Sequence, residues 1–89
     1  MDDMDDTRSP SAQDTTIEAA VLRQLLALHP IQLTVSELAR EIGGETPGFA
    51  QIDAVERAID QLSAAGLLHV NGSVVFPTRA ALRFYELLE

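Results

Sequence analysis

The chain has no cysteine, no tryptophan and no lysine among its 89 residues, and its cations are Arg8, Arg23, Arg40, Arg57, Arg79 and Arg83. Without cysteine there is no disulfide framework and no thiolate metal site, which suits a reducing, cytoplasmic compartment. No stretch approaches the ~20 apolar residues that span a bilayer, and the N-terminus lacks the basic start and apolar run of an export signal. We therefore expect a soluble protein with no membrane contact. Catalytic groups are sparse as well. His29 and His69 stand far apart in sequence, and no cysteine or neighbouring histidine completes a metal set. The GGETPG segment from Gly43 to Gly48 lacks the lysine and the preceding strand of a phosphate-binding loop. The expectation is a non-enzyme without metal or cofactor.

What is present is acid and aliphatic surface. The formal net charge is −8. Half of it falls in residues 1–14, where Asp2, Asp3, Asp5, Asp6 and Asp14 face only Arg8, and this segment reads as a disordered acidic tail. Residues 15–89 read as one domain that is itself acidic, so removing the tail would not make the remainder basic. Lysine-free, alanine-rich usage is associated with GC-rich, bacterial coding sequence. With 46% hydrophobic residues the chain can build one small core. A body of this size buries only ~60% of the surface its unfolded chain exposes, so self-association would help it.

The order of elements is more specific. Thr15 with Glu18 predicts a capping box opening a first helix that Pro30 terminates, and its apolar residues Ile17, Val21, Leu22, Leu25, Leu26 and Leu28 cover more than half the wheel. Ile31 to Leu33 predicts a short strand. Thr34 with Glu37 forms a second capping box, Val35, Leu38, Ala39 and Ile42 give that helix its buried stripe, and Gly43 with Gly44 ends it. Ile52, Val55, Ile59 and Leu62 mark a third helix over about 49–65, closed by Gly66. Leu67 to Val70 and Val74 to Phe76 flank Asn71-Gly72, the pair preferred where both turn residues need positive φ. After Pro77, Thr78 caps a last helix whose Leu82, Phe84, Tyr85, Leu87 and Leu88 again exceed a single apolar stripe. The fold class is mainly α with a small β-hairpin, in the order α-β-α-α-β-β-α.

That order, carried by Thr34-Val-Ser-Glu-Leu-Ala, Val55-Glu-Arg-Ala-Ile-Asp-Gln-Leu and Ala65-Gly-Leu-Leu before the Asn71-Gly72 hairpin, resembles the winged helix-turn-helix superfamily over Thr16 to Glu89. The resemblance implies a DNA-binding transcriptional regulator whose third helix enters the major groove. Carried over by position, it turns Gln51, Asp53, Ala54 and Arg57 toward duplex DNA, sets Ser36 and Arg40 against phosphate, and makes Asn71, Gly72 and Ser73 the wing tip. The charge argues otherwise. DNA binding rests largely on Lys and Arg contacts to phosphate, yet the wing has none. Arg57 lies among Asp53, Glu56 and Asp60, with Asp53 spaced to pair with it along the helix. The alternative is an acidic winged-helix protein-interaction module that has lost DNA binding. Arg79 and Arg83 allow a small anion site, or a solvated face balanced by Glu86. The Asp-rich tail is also able to lie against arginines as an autoinhibitory mimic of DNA. The excess apolar surface of the first and last helices, at Leu22, Leu26, Phe84, Tyr85 and Leu88, either meets a homodimer or protein partner or is buried between the two helices.

Overall fold

The computed structural model describes residues 10–44, 46 and 48–88, and the backbone alone over 10–13. Among these residues are four helices and a three-stranded antiparallel sheet: α1 (Pro10–Leu28), β1 (Leu33–Thr34), α2 (Val35–Gly43), α3 (Phe49–Ala64), β2 (Leu68–Asn71), β3 (Val74–Pro77) and α4 (Arg79–Leu88). The chain is thus mainly helical with a small sheet.

Helix α1 begins five residues before Thr15, so the predicted capping box at Thr15 and Glu18 does not open it. Pro10 supplies the physical reason. At the first position of a helix its missing N–H removes an orphan donor, and its fixed φ is already helical. Residues 10–14 belong to this helix, and the rest of the expected acidic tail lies outside the described residues.

The other local signals act as their chemistry demands. Glu37 N–H donates to Thr34 Oγ1 at 3.2 Å while Thr34 N–H donates to Glu37 Oε1 at 2.8 Å, closing the capping box of α2. Gly44, at φ 96°, ends that helix by donating its N–H to the Arg40 carbonyl at 2.9 Å. Gly66 at φ 85° does the same work after α3, where Leu67 N–H reaches back to the Leu62 carbonyl at 2.9 Å. Thr78 caps α4 by accepting from Ala81 N–H at 3.2 Å, and its hydroxyl donates to the Gly66 carbonyl at 2.8 Å. One threonine therefore joins two helix ends.

The sheet order is β1-β3-β2, with Leu33 opposite Val75 and Val70 opposite Val75 on the other side. The hairpin differs from expectation by one residue. Asn71 pairs with Val74 inside the ladder, leaving Gly72 and Ser73 as the turn. Of the two turn residues only Gly72 has positive φ, at 65°, and among the described residues only glycines do. Glycine at the first central position is the pattern of a type II′ turn, which needs no positive φ at Asn71. Ser73 holds the turn to α2 by accepting from Val35 N–H at 3.3 Å.

The core joins Val21 and Leu25 of α1, Leu33 of β1, Leu38 and Ala39 of α2, Val55, Ala58, Ile59 and Leu62 of α3, and Leu68 and Val75 of the sheet. Val21, Leu25, Leu38, Val55 and Val75 are fully buried, and no polar or charged residue among those described is buried. Such a core has hydrophobic burial as its driving force, at about 1.5–3 kcal/mol per large side chain before entropy is counted.

Candidate interaction surfaces

Helix α3 turns Val55, Ala58, Ile59 and Leu62 inward, which fixes what its remaining faces carry. The face turned to solvent holds Asp53, Glu56, Arg57 and Asp60, all exposed. Three carboxylates surround one guanidinium there. Arg57 does not pair with Asp53, as four-residue spacing suggested. Its Nη2 lies 3.4 Å from Asp14 Oδ1 on α1. The pair forms because α1 runs on to Pro10 and brings Asp14 over the start of α3.

That same approach changes the exposure of two other expected DNA contacts. Gln51 and Ala54 are half-buried and line a cleft with Asp14, Thr16 and Ile17 of α1. Gln51 also packs over the end of α2, where a side chain at Gly43 would run into its Cγ. Of the four expected reading residues, then, Asp53 and Arg57 are exposed, while Gln51 and Ala54 face a neighbouring helix. Ser36, Arg40, Asn71 and Ser73 are exposed. They share a region through the Val35–Ser73 hydrogen bond, and Arg40 is the only cation among these four.

The five apolar residues expected to form an interface are gathered on one surface. Leu22 and Leu26 of α1 with Phe84, Tyr85 and Leu88 of α4 line one groove, completed by Ala19 and Arg23. Leu26 is buried and Leu22 and Tyr85 are half-buried, so the two helices do cover part of their excess apolar surface against each other. They leave the rest open, with Phe84, Leu87 and Leu88 at 59%, 66% and 68% exposure. The groove holds about 270 Å³, below the ~300–1,000 Å³ of small-molecule sites. It suits a few apolar side chains better than a cofactor.

A second trough was not anticipated from the sequence. It runs between α3 and β2 and is lined by Val35, Glu56, Ile59, Asp60, Ser63, Leu68, His69 and Val70, with a volume of about 600 Å³. The available signal was the i, i+4 spacing of Glu56 and Asp60, two like charges that cannot satisfy each other. His69 packs edge-on against Phe76, ring centroids 5.1 Å apart, as a cross-strand pair. On α4, Arg83 meets Glu86 at 3.3 Å, the balanced solvated face rather than an anion site. Among the described residues no group of three His, Cys, Asp or Glu is placed to hold a metal ion, and no helix is long and apolar enough to cross a membrane.

Comparison with protein-family models, with curated proteins and with solved structures finds no match to this chain.

Proposed function

We propose that this chain is an acidic winged-helix module that binds protein rather than duplex DNA. The element order and the β1-β3-β2 sheet support the winged-helix reading. The observation that carries the function is the outward face of α3. In a DNA-reading member of the superfamily this face enters the major groove. Here it carries Asp53, Glu56 and Asp60 around Arg57, whose guanidinium already meets Asp14. Bringing that face to a phosphate backbone places three carboxylates against like charge, and the wing tip at Asn71 to Ser73 has no cation to compensate.

The partner most directly supported for the α1–α4 groove is a second copy. Hole and knob lie side by side on one surface, with Leu22 and Leu26 lining the groove and Phe84, Leu87 and Leu88 standing exposed beside it. A two-fold axis would set the knobs of each copy into the groove of the other, an isologous contact.

The test is a mobility-shift titration against random duplex at low salt, with the wild type and Asp14→Asn, which frees Arg57. Neither protein is expected to shift the duplex. Binding that weakens steeply with salt and is lost in Arg57→Ala would instead support a DNA-binding transcriptional regulator.

A further inference from the structure

The trough between α3 and β2 has an unpaired strand as one wall. β2 is the edge of the sheet, bonded to β3 alone. The direction of its free groups follows from Pro77. In an antiparallel ladder, opposed residues alternate between pairs that exchange both N–H···O bonds and pairs that exchange none. Pro77 has no N–H, so its pairing with Leu68 is of the second kind. Two residues on, Val70 with Val75 is of the same kind. The N–H and C=O groups of Leu68 and Val70 therefore point away from β3; Leu68 is only 3% exposed, so Val70, at 41%, is the residue that presents its pair at the open edge. No backbone bond outside the strands engages either residue among those described.

The opposite wall is α3. Its Ile59 and the Val70 side chain, which is 41% exposed, supply an apolar floor. Glu56 and Asp60 stand along it without an ion-pair partner among the described residues. Ser63 lines the same wall, its hydroxyl oxygen covered and without a hydrogen-bond partner among the described residues. No cation lines the trough.

We propose that this trough receives an extended, basic segment of a partner protein, which adds to the sheet as a fourth strand beside β2. The inference rests on the protein-binding reading above and names the chemistry of the partner. Backbone pairing to Val70, whose N–H and C=O both face the edge, supplies the strand register. Alternate side chains of the added strand face α3, where a Lys or Arg lays its methylenes over Ile59 and Val70 and brings its charge to Glu56 and Asp60. The intervening side chains fall on the opposite face, beside His69, where β-branched residues fit.

A fluorescein-labelled peptide of alternating arginine and valine, seven residues long and blocked at both ends, is the probe. Anisotropy titration should show saturable binding to the wild type. Glu56→Gln with Asp60→Asn should weaken it at least tenfold. Glu41→Gln with Glu86→Gln, which removes two exposed charges elsewhere, should change it less than twofold. N-methylation of alternate peptide nitrogens, which keeps the charge and removes strand pairing, should also cost at least tenfold, and the amide of Val70 should be the one newly protected from exchange on binding. No binding, equal binding of the methylated peptide, or equal loss in the two double variants would overturn strand addition. A failure of the protein-binding reading itself looks different: it is duplex DNA binding by the same preparation, whatever the peptide does.

Discussion

Asp14 and Arg57 meet at 3.4 Å with side chains 41% and 60% exposed. Water and salt screen a pair that open, so its worth is on the order of 0–1 kcal/mol. A double-mutant cycle with Asp14→Asn and Arg57→Ala, read by urea unfolding, should return a coupling energy within that range. The consequence of the contact is electrostatic rather than energetic, because it engages the arginine that a DNA-reading helix would present. Burial sets the opposite extreme. Leu38 is fully buried between α2 and the core, and Leu38→Ala should cost about 2–5 kcal/mol by removing its methyl groups and leaving a cavity. In a domain whose whole stability is about 5–15 kcal/mol, that is a large loss, visible as a lowered urea midpoint.

Among the elements, the helix ends were the most legible parts of the chain, and the reason is range. A threonine that caps a helix acts on the N–H three residues on, so Thr34, Glu37 and Thr78 carry their signal within a few positions of sequence. Thr34→Ala should cost about 0.5–2 kcal/mol. Gly66→Ala should cost about 1–2 kcal/mol, since φ 85° lies in the left-handed region that a Cβ disfavours. Thermal unfolding of each variant followed by circular dichroism checks both. The same locality explains two differences. Pro10 is a good first residue for a helix, but among aspartates and serines it read as part of a polar tail. Asn71-Gly72 is a strong turn pair, yet the cross-strand pairing of Asn71 with Val74 moved the turn to Gly72 and Ser73, a choice made by the register of the whole sheet.

The molecule as a whole presents an acidic α3 face, an apolar groove between α1 and α4, and an open sheet edge. Self-association through the groove predicts a mass that rises from monomer to dimer with concentration in sedimentation equilibrium. Phe84→Glu with Leu88→Glu should hold the chain monomeric while leaving its helical circular dichroism intact, because both side chains are exposed in the monomer. A double variant that still dimerises would move the contact elsewhere.

Residue order alone was enough to specify four helices, the caps of α2 and α4, a short strand near Leu33 and a hairpin around Gly72, and to single out Leu22, Leu26, Phe84, Tyr85 and Leu88 as surplus apolar surface. Each of those conclusions depends on spacings of two to four residues, which the periods of strand and helix translate directly into faces. The partner of Arg57 lies 43 positions away. The covering of Gln51 and Ala54 by α1 and the trough between α3 and β2 also join segments distant in sequence. Such contacts follow from how the helices and sheet pack around Val21, Leu25, Leu38, Val55 and Val75, and packing is a property of the assembled elements rather than of any one of them.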